Sequence, residues 1–240
     1  MKRDDFFVGW AGRLPRAHRG VVALAVACLL GGSALLPLAL ARGTADPGSG
    51  AFEWGAGEQT LTGTLTILPY PTVWTPPDAA HPRGHTVLLS GEGKERPDVA
   101  AGDDGKLVAA KGFLIRRGET ETLQAGSVQR VDGLPGAPPV TPLGTWRIAG
   151  EICDGKCAIG AMRPGRGAAH RPCANLCLIG GLPPVLLSTG AIDGHDTLLL
   201  ADRGGAALSE RLHDDVAVPI VLEGAVELRG DLLILRTTLP

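Results

Sequence analysis

Residues 112–123, GFLIRRGETETL, match residues 224–235, GAVELRGDLLIL, and this internal repeat decides the fold. In both segments an Arg-Gly-acid turn separates two apolar runs, which is typical of a β-hairpin. The chain has Gly 35 and Pro 19 but few strong helix formers, and this composition favours short strands joined by turns. The repeated hairpin therefore predicts a duplicated β-architecture.

The elements before each hairpin also follow one order. In the first half, strands at residues 61–68 and 86–89 and a polar or helical stretch at 95–105 precede the hairpin. In the second half, the corresponding strands are at 145–153 and 197–200 and the polar or helical stretch is at 207–216. This order resembles that of the five-stranded OB-type barrel. We expect a mostly β protein with two OB-like halves, residues 59–132 and 143–240, joined by a Pro-rich linker at 133–142. The alternative is that the two hairpins resemble each other by chance.

Several functional classes are disfavoured by composition and motif content. Binding of single-stranded nucleic acid needs a basic groove with stacking aromatic side chains, whereas this chain has a net charge of -2, Tyr 1 and Phe 4. The sequence contains no Ser nucleophile elbow, phosphate-binding Gly loop, His-Glu-x-x-His helix or calcium loop. We therefore expect no nucleic-acid partner, and the sequence leans away from an enzyme.

An uncharged apolar run, VVALAVACLLGGSALLPLALA, occupies residues 21–41. At ~1.5 Å rise per residue it is long enough to cross a hydrocarbon core of ~30 Å as a transmembrane helix. Basic residues concentrate before it, at Lys2, Arg3, Arg13, Arg16 and Arg19. We expect a cytoplasmic segment at 1–20, a flexible linker at 42–58, and export of the rest to the periplasmic side of the inner membrane. The alternative is a cleaved signal peptide, since the run ends in Ala-Leu-Ala.

The second half differs from the first by an insertion at residues 151–184. It contains two C-x3-C pairs, a thioether and an imidazole, so that its candidate metal donors are Cys153, Cys157, Met162, His170, Cys173 and Cys177. Residues 168–179 are predicted to form a short helix, because a Gly-Gly pair and two prolines follow them. On this helix Cys173 and Cys177 lie one turn apart on one face, and His170 shares that face.

Disulfide bonds are one interpretation of these cysteines. An exported domain lies in an oxidising compartment, and four clustered cysteines are the number that two bridges require. A bridge between Cys173 and Cys177 constrains little of the chain, so cross-pairs of Cys153 or Cys157 with either of them are the stabilising choice. In that case the protein is a disulfide-stapled adaptor or assembly factor without metal.

A metal site is the second interpretation. Cys157, His170, Cys173 and Cys177 supply thiolates and an imidazole, with Cys153 and Met162 as possible further ligands. These donors suit copper(I), zinc or an iron-sulfur cluster. The C-x3-C spacing with a distant His is similar to that of exported copper chaperones of oxidase assembly, but the thioredoxin-like βαβ order of that family is missing.

Thiol redox chemistry is the third interpretation. A helix N-terminus and nearby cations lower the pKa of a thiol and make it reactive. Cys173 is the candidate, because it follows Pro172 near the first helical turn and has Arg166 and Arg171 as neighbours in sequence. The spacing argues against this interpretation, since C-x3-C is not the usual redox motif.

The opening segment KRDDFFVGW, residues 2–10, and the block at residues 151–184 resemble an uncharacterised family of bacterial membrane-anchored proteins. The family has a KRDDF-type segment before its anchor and a C-x15-C-x3-C block that contains a His. The resemblance implies a Cys3His site formed by Cys157, His170, Cys173 and Cys177, and it leaves Cys153 outside. It implies no particular activity.

Other histidines lie in loops or polar segments. His81 and His85 are spaced to bind a metal as a pair, although their Pro- and Gly-containing segment is typical of a surface loop. His195 is expected in a turn, and His213 on the polar face of a short helix. Taken with the cysteine block, the sequence predicts a bacterial inner-membrane protein whose exported domain binds a metal. The expected function of such a protein is to transfer electrons, or to deliver its metal, to a membrane-bound redox or assembly partner.

Overall fold

The computed structural model describes residues 15–43, 47–208, 212 and 214–239. Its strands are β1 (Ala51–Phe52), β2 (Gln59–Thr66), β3 (Thr72–Thr75), β4 (His85–Ser90), β5 (Leu107–Arg117), β6 (Thr120–Arg130), β7 (Val140–Asp154), β8 (Pro184–Ile192), β9 (His195–Ala201), β10 (Pro219–Arg229) and β11 (Leu232–Thr237). The helices are α1 (Arg19–Gly43) and α2 (Arg171–Ile179), with 3₁₀ turns at Arg16–His18, Trp54–Ala56 and Ala101–Asp103 and a π-helical turn at Cys157–Ala161. The KRDDF segment and His213 lie outside the described residues.

Helix α1 contains the apolar run at residues 21–41. It has 25 residues, which corresponds to about 37 Å at ~1.5 Å per residue. Within the described part of the chain it is the one helix that is long and apolar enough to cross a membrane. The predicted apolar helix is therefore present, whereas its orientation and its compartment stay predictions.

Two closed five-stranded barrels follow along the chain. The first closes in the order β2-β3-β4-β6-β5, and the second in the order β7-β8-β9-β11-β10. Neighbouring strands are antiparallel except for one parallel pair in each barrel, β4 with β6 and β9 with β11. Both barrels have the strand order of an OB-type barrel, so the predicted fold class is confirmed.

The strand registers show that the two repeated hairpins are equivalent. The β5–β6 and β10–β11 hairpins each place a leucine against the same two neighbours, namely Leu123 against Leu114 and Leu89, and Leu235 against Val226 and Leu200. The hairpin turns agree as well, because Gly118 and Gly230 have φ angles of 56° and 64°. A positive φ favours glycine, which explains the Arg-Gly-acid pattern at both tips. The matching segments 112–123 and 224–235 thus hold equivalent positions in the two barrels.

Each barrel encloses an apolar core. The first core contains Leu65, Val73, Val87, Leu89, Val108, Ala110, Leu114, Leu123 and Ala125. The larger second core includes Ile148, Ile152, Leu186, Leu198, Leu200, Leu222, Val226, Leu233 and Leu235. A third cluster joins the barrels and contains Leu88 of β4 and Leu199 of β9, which are equivalent positions. Burial of each such side chain contributes about 1.5–3 kcal/mol, so the shared cluster binds the barrels together.

Polar contacts between the barrels are reciprocal. Arg117, at the end of β5, donates to both carboxylate oxygens of Asp196 at 2.9 and 2.8 Å. In return, the hairpin tip of the second barrel brings Asp231 to the start of β4, where it accepts a hydrogen bond from the Thr86 amide at 2.7 Å. Asp196 and His85 hold corresponding positions at the starts of β9 and β4. The barrels therefore meet through an approximately two-fold arrangement in which each hairpin tip contacts the other barrel.

Some elements differ from the expected ones. The strand order predicted from the sequence lacks β3 and β8. Both strands lie in short apolar stretches beside prolines, which were not predicted to be barrel strands. Strand β1, inside the range predicted as a linker, pairs with β5 through Ala51 and Phe52. Strand β7 starts at Val140, inside the range predicted as the Pro-rich linker, and continues to Asp154. These linker boundaries stay predictions.

Candidate metal centre

The cysteine insertion leaves the second barrel between β7 and β8. A π-helical turn at Cys157–Ala161 follows the end of β7, and α2 then runs back toward the barrel. Helix α2 has Pro172 in its first turn, where the missing N–H costs nothing. It ends at Gly180, whose N–H bonds to the carbonyl of Leu176 at 3.0 Å, and Gly181 follows with a φ of 89°. The predicted helix at 168–179 is present over most of its length.

Three thiols meet at this insertion. The Sγ atoms of Cys157, Cys173 and Cys177 all lie within 4.8 Å of one another. Helix α2 supplies two of them from consecutive turns, and the π-helical turn supplies Cys157, whose sulfur is 4.0 Å from that of Cys177. All five cysteines of the chain belong to the described residues, and all five are free thiols. The thiol cluster is therefore a set of possible metal donors.

The thiol cluster is buried on one side and open on the other. Cys157 and Cys177 are 5% and 1% exposed and pack against Leu182. Cys173 is partly exposed, and its thiol donates to the Sδ atom of Met162 at 3.5 Å. The Met162 side chain reaches the surface. The open edge of the cluster thus has one thiol and one thioether.

Lys94, from the loop after β4 in the first barrel, reaches the thiols from across the barrel boundary. Its Nζ atom donates to Cys173 Sγ at 2.7 Å and to Cys177 Sγ at 3.4 Å. A hydrogen bond from Cys157 lowers the pKa of Cys177 to about 7 against the opposing effect of burial, and Lys94 lowers this pKa further. The same thiol–thiol hydrogen bond, together with burial, raises the pKa of Cys157. These contacts favour the thiolate form of Cys177 and the protonated form of Cys157 in the metal-free protein.

His170 and Asp154 lie behind the thiol cluster, on the side of Cys157. Both are almost fully buried, and His170 Nε2 is 3.3 Å from Asp154 Oδ2. The other carboxylate oxygen of Asp154 accepts hydrogen bonds from the amides of Cys157 at 2.8 Å and Lys156 at 3.2 Å. Donor atoms of Asp154, Cys157 and His170 lie within 4.8 Å of one another, so these residues form a second group that shares Cys157 with the thiols.

Lys156 ties the insertion to the first barrel. Its side chain is buried, and its Nζ atom donates to the carbonyls of Gly91 at 2.7 Å and Gly93 at 2.9 Å. Burial lowers the pKa of Lys156, while the neighbouring Cys157 acts in the opposite direction. The loop that carries Lys94 is thereby held beside the thiols.

Cys153 stays apart from the cluster. It lies on β7 in the apolar layer between the barrels, and its thiol donates to Glu151 Oε1 at 3.1 Å. Burial, reinforced by the Glu151 carboxylate, raises the pKa of the Cys153 thiol. A buried thiol of this kind behaves as a small apolar side chain.

The structure thus brings together Cys157, Cys173, Cys177 and Met162, places His170 behind them, and leaves Cys153 outside. Sequence reasoning missed Lys94, Asp154 and Lys156. Asp154 and Lys156 flank Gly155 directly before Cys157, and that proximity was a usable signal. Lys94 lies in another barrel and had no such signal.

Comparison with known proteins adds no assignment. A scan against protein-family models, a search of curated sequences and a search of solved structures each find no significant match. The function is therefore argued from the geometry of the site.

Proposed function

We propose that this protein is a membrane-anchored copper(I)-binding protein that delivers its metal to a membrane-bound redox complex. The observation that carries the proposal is the convergence of Cys157, Cys173 and Cys177 as free thiols within 4.8 Å of one another. Convergent thiolates bind soft or borderline metals, and a site shared by two barrels is preorganised for one.

Copper(I) fits this donor set better than zinc or an iron-sulfur cluster. Thiolate and thioether sulfurs select copper(I), and the Met162 sulfur lies 3.5 Å from that of Cys173. Zinc in a structural site takes four thiolate or imidazole donors, and iron-sulfur clusters are held by four cysteines. Here three thiols converge, and the fourth cysteine of the insertion, Cys153, faces Glu151.

The surrounding charges support a thiolate-bound monovalent metal. Three thiolates around copper(I) leave two negative charges in excess, and burying them without compensation is costly. The ammonium group of Lys94 contacts Cys173 and Cys177 directly. Lys156 adds a second amine beside Cys157, and this one is buried. The two lysines offset the excess negative charge.

The open edge of the thiol cluster favours metal delivery over simple electron transfer. Cys173 is the most exposed of the three thiols, and the partly exposed Met162 lies beside it. A partner protein can replace donors at this edge while Cys157 and Cys177 still hold the metal from the buried side. Electron transfer requires no such exchangeable edge.

His170 is assigned to positioning Cys157. It forms a group with Cys157 and Asp154 and does not complete the thiol group itself. Loss of a residue that orients a metal ligand weakens metal affinity about 10- to 100-fold. The His170→Ala variant is therefore expected to bind copper(I) that much more weakly, as measured by competition with a copper(I) chelator. Complete loss of copper(I) binding in this variant would instead mean that His170 is itself a ligand, as in the Cys3His site expected from the sequence.

Metal content of the full-length protein, purified without oxygen, tests the proposal. The wild-type protein is expected to hold one copper(I) per chain, and Cys177→Ser none. Cys153→Ser and Cys28→Ser are matched controls, because each removes a thiol that lies outside the cluster, and both should keep the metal. Two disulfides and no metal in the wild type would contradict the proposal and support a disulfide-stapled adaptor.

The proposed location follows from helix α1 and the basic residues before it. We propose that α1 spans the inner membrane with the N-terminus in the cytoplasm, which places the barrels in the periplasm. A reporter enzyme that is active only after export, fused at the end of the chain, should be active. Activity of a cytoplasmic reporter at the same place would contradict this orientation.

A further inference from the structure

A third group of possible metal donors lies far from the cysteines in sequence, at the boundary of the two barrels. Donor atoms of His81, His85 and Asp231 lie within 4.8 Å of one another. His81 and His85 come from the first barrel, and their rings stack with centroids 4.3 Å apart. Asp231 comes from the β10–β11 hairpin tip of the second barrel, and His85 Nδ1 is 2.5 Å from its Oδ2 atom.

Each of the two histidines has a carboxylate in contact with one of its ring nitrogens. His85 Nε2 is 3.0 Å from Glu121 Oε2, and His81 Nδ1 is 3.3 Å from Asp78 Oδ1. The Asp78 contact leaves Nε2 of His81 for a metal, whereas a metal bound to Nδ1 of His85 would replace the proton that this nitrogen shares with Asp231 Oδ2. Metal-binding histidines almost always have such a carboxylate or carbonyl on the second nitrogen, because it fixes the ring and raises its basicity.

Asp231 is fixed in the same way. The Thr86 amide donates to its Oδ1 atom at 2.7 Å, which leaves Oδ2 facing the His85 ring. The Asp231 side chain is 17% exposed and that of His85 is 11% exposed, whereas that of His81 is 34% exposed. The group therefore has two largely buried donors and one more exposed donor.

The charge around this group favours a cation. Asp78, Glu121 and Asp231 are acidic, and the Arg116 guanidinium offsets only Glu121 directly. The carboxylates around the group thus carry negative charge that a bound metal cation would offset.

We propose that His81, His85 and Asp231 form a zinc site that joins the two barrels. Two imidazoles and one carboxylate are a ligand set that zinc accepts, and three protein ligands leave a fourth position for water. The site contains no sulfur donor, so it takes a different metal from the thiol cluster. Because the ligands come from both barrels, bound zinc also stabilises the contact between them.

Titration of the full-length protein with Zn²⁺ and with Co²⁺ tests this proposal. His81→Ala is the main variant, because His81 lies at the surface and its loss leaves the buried contacts of His85 and Asp231 in place. Wild-type protein should bind one more zinc per chain than His81→Ala, and zinc should raise the melting temperature of the wild type by more than that of His81→Ala. His195→Ala, which removes a histidine elsewhere, should behave as the wild type does.

Two further measurements make the test specific. The difference between the Co²⁺ spectra of wild type and His81→Ala should show visible ligand-field bands without thiolate charge-transfer bands, because the site has nitrogen and oxygen donors only. Asp78→Asn, which changes an exposed carboxylate behind His81, should bind zinc about 10- to 100-fold more weakly than the wild type. Equal zinc stoichiometry and equal affinity in wild type and His81→Ala would overturn the proposal, and so would thiolate bands in the difference spectrum.

Discussion

The two barrels present the same hairpin tip to each other and use it for different chemistry. In the first barrel the tip brings Arg117 to Asp196, and a buried pair of opposite charges results. In the second barrel the tip brings Asp231 to His85, beside another histidine and further acidic groups. The difference teaches that a repeated scaffold fixes where side chains meet, while single residues at the meeting point decide whether the contact only holds the fold or also binds a ligand.

The connections between the first two strands of each barrel differ more strongly. In the first barrel β2 and β3 are joined by residues 67–71, whereas in the second barrel residues 155–183 separate β7 from β8. The longer connection contains the three convergent thiols. The first barrel nevertheless contributes Lys94 to the cluster, so neither barrel forms the complete site alone.

The largest expected effect on stability concerns the buried charge pair. Arg117 and Asp196 have side-chain exposures of only 2% and 7%. Arg117→Ala leaves the Asp196 carboxylate buried without its partner and should lower the free energy of unfolding by about 3–5 kcal/mol. Urea unfolding of the full-length protein measures this change. Replacing both residues with apolar ones, as Arg117→Met with Asp196→Leu, should recover most of the loss, and a cost below about 1 kcal/mol for Arg117→Ala would contradict this account.

Equivalent core positions test whether the barrels unfold together. Leu123 and Leu235 are both fully buried in matching places. Truncation to Ala at either position should cost about 2–5 kcal/mol. Because the apolar cluster of Leu88 and Leu199 joins the barrels, both variants should shift one common unfolding transition. Two separate transitions, each moved by only one of the variants, would show that the barrels are independent.

The sequence was most informative where a pattern is local or repeated. The hairpins at 112–123 and 224–235, the apolar helix and the helix with Cys173 and Cys177 were all predictable, because each depends on periodicity or turn chemistry within a short segment. The proximity of Cys157 to Cys173 and Cys177 was predictable in part, since all three cysteines belong to one insertion. Whether the thiols bind a metal stays a prediction.

Long-range contacts could not be predicted from the sequence. Lys94 meets Cys173 only because the loop after β4 folds over the insertion, and Asp231 meets His85 only because the barrels pack with an approximate two-fold relation. Neither pairing leaves a signal in local spacing. For the same reason His81 and His85 resembled an ordinary loop pair in the sequence.

The turn glycines offer a smaller, matched comparison. Gly118→Ala forces alanine into a left-handed backbone conformation, which should cost about 1–2 kcal/mol, and brings its new Cβ atom 2.8 Å from the Cβ atom of the exposed Pro47. Gly230→Ala should cost more, because its new Cβ atom would lie 2.5 Å from Thr86 Oγ1 in the other barrel. Thermal unfolding of the two variants measures the difference. Equal costs would argue against close packing of the second hairpin tip.

The smallest expected effect concerns an exposed ion pair between the barrels. Arg83 and Asp193 lie 3.2 Å apart with side-chain exposures of 48% and 46%. Solvent screens such a pair, so Arg83→Ala should change the free energy of unfolding by less than about 1 kcal/mol. Urea unfolding of Arg83→Ala, measured under the same conditions as Arg117→Ala, checks this prediction. A cost similar to that of Arg117→Ala would mean that burial does not distinguish the two contacts.

The central claim is that three thiolates hold a soft metal at the boundary of the two barrels. X-ray absorption at the copper edge, recorded on full-length protein loaded with copper(I) without oxygen, tests it most directly. We expect a first shell made of sulfur, with about three sulfur atoms around copper(I), and loss of that shell in Cys177→Ser. A first shell of nitrogen and oxygen, or a sulfur shell that is unchanged in Cys177→Ser, would contradict the claim.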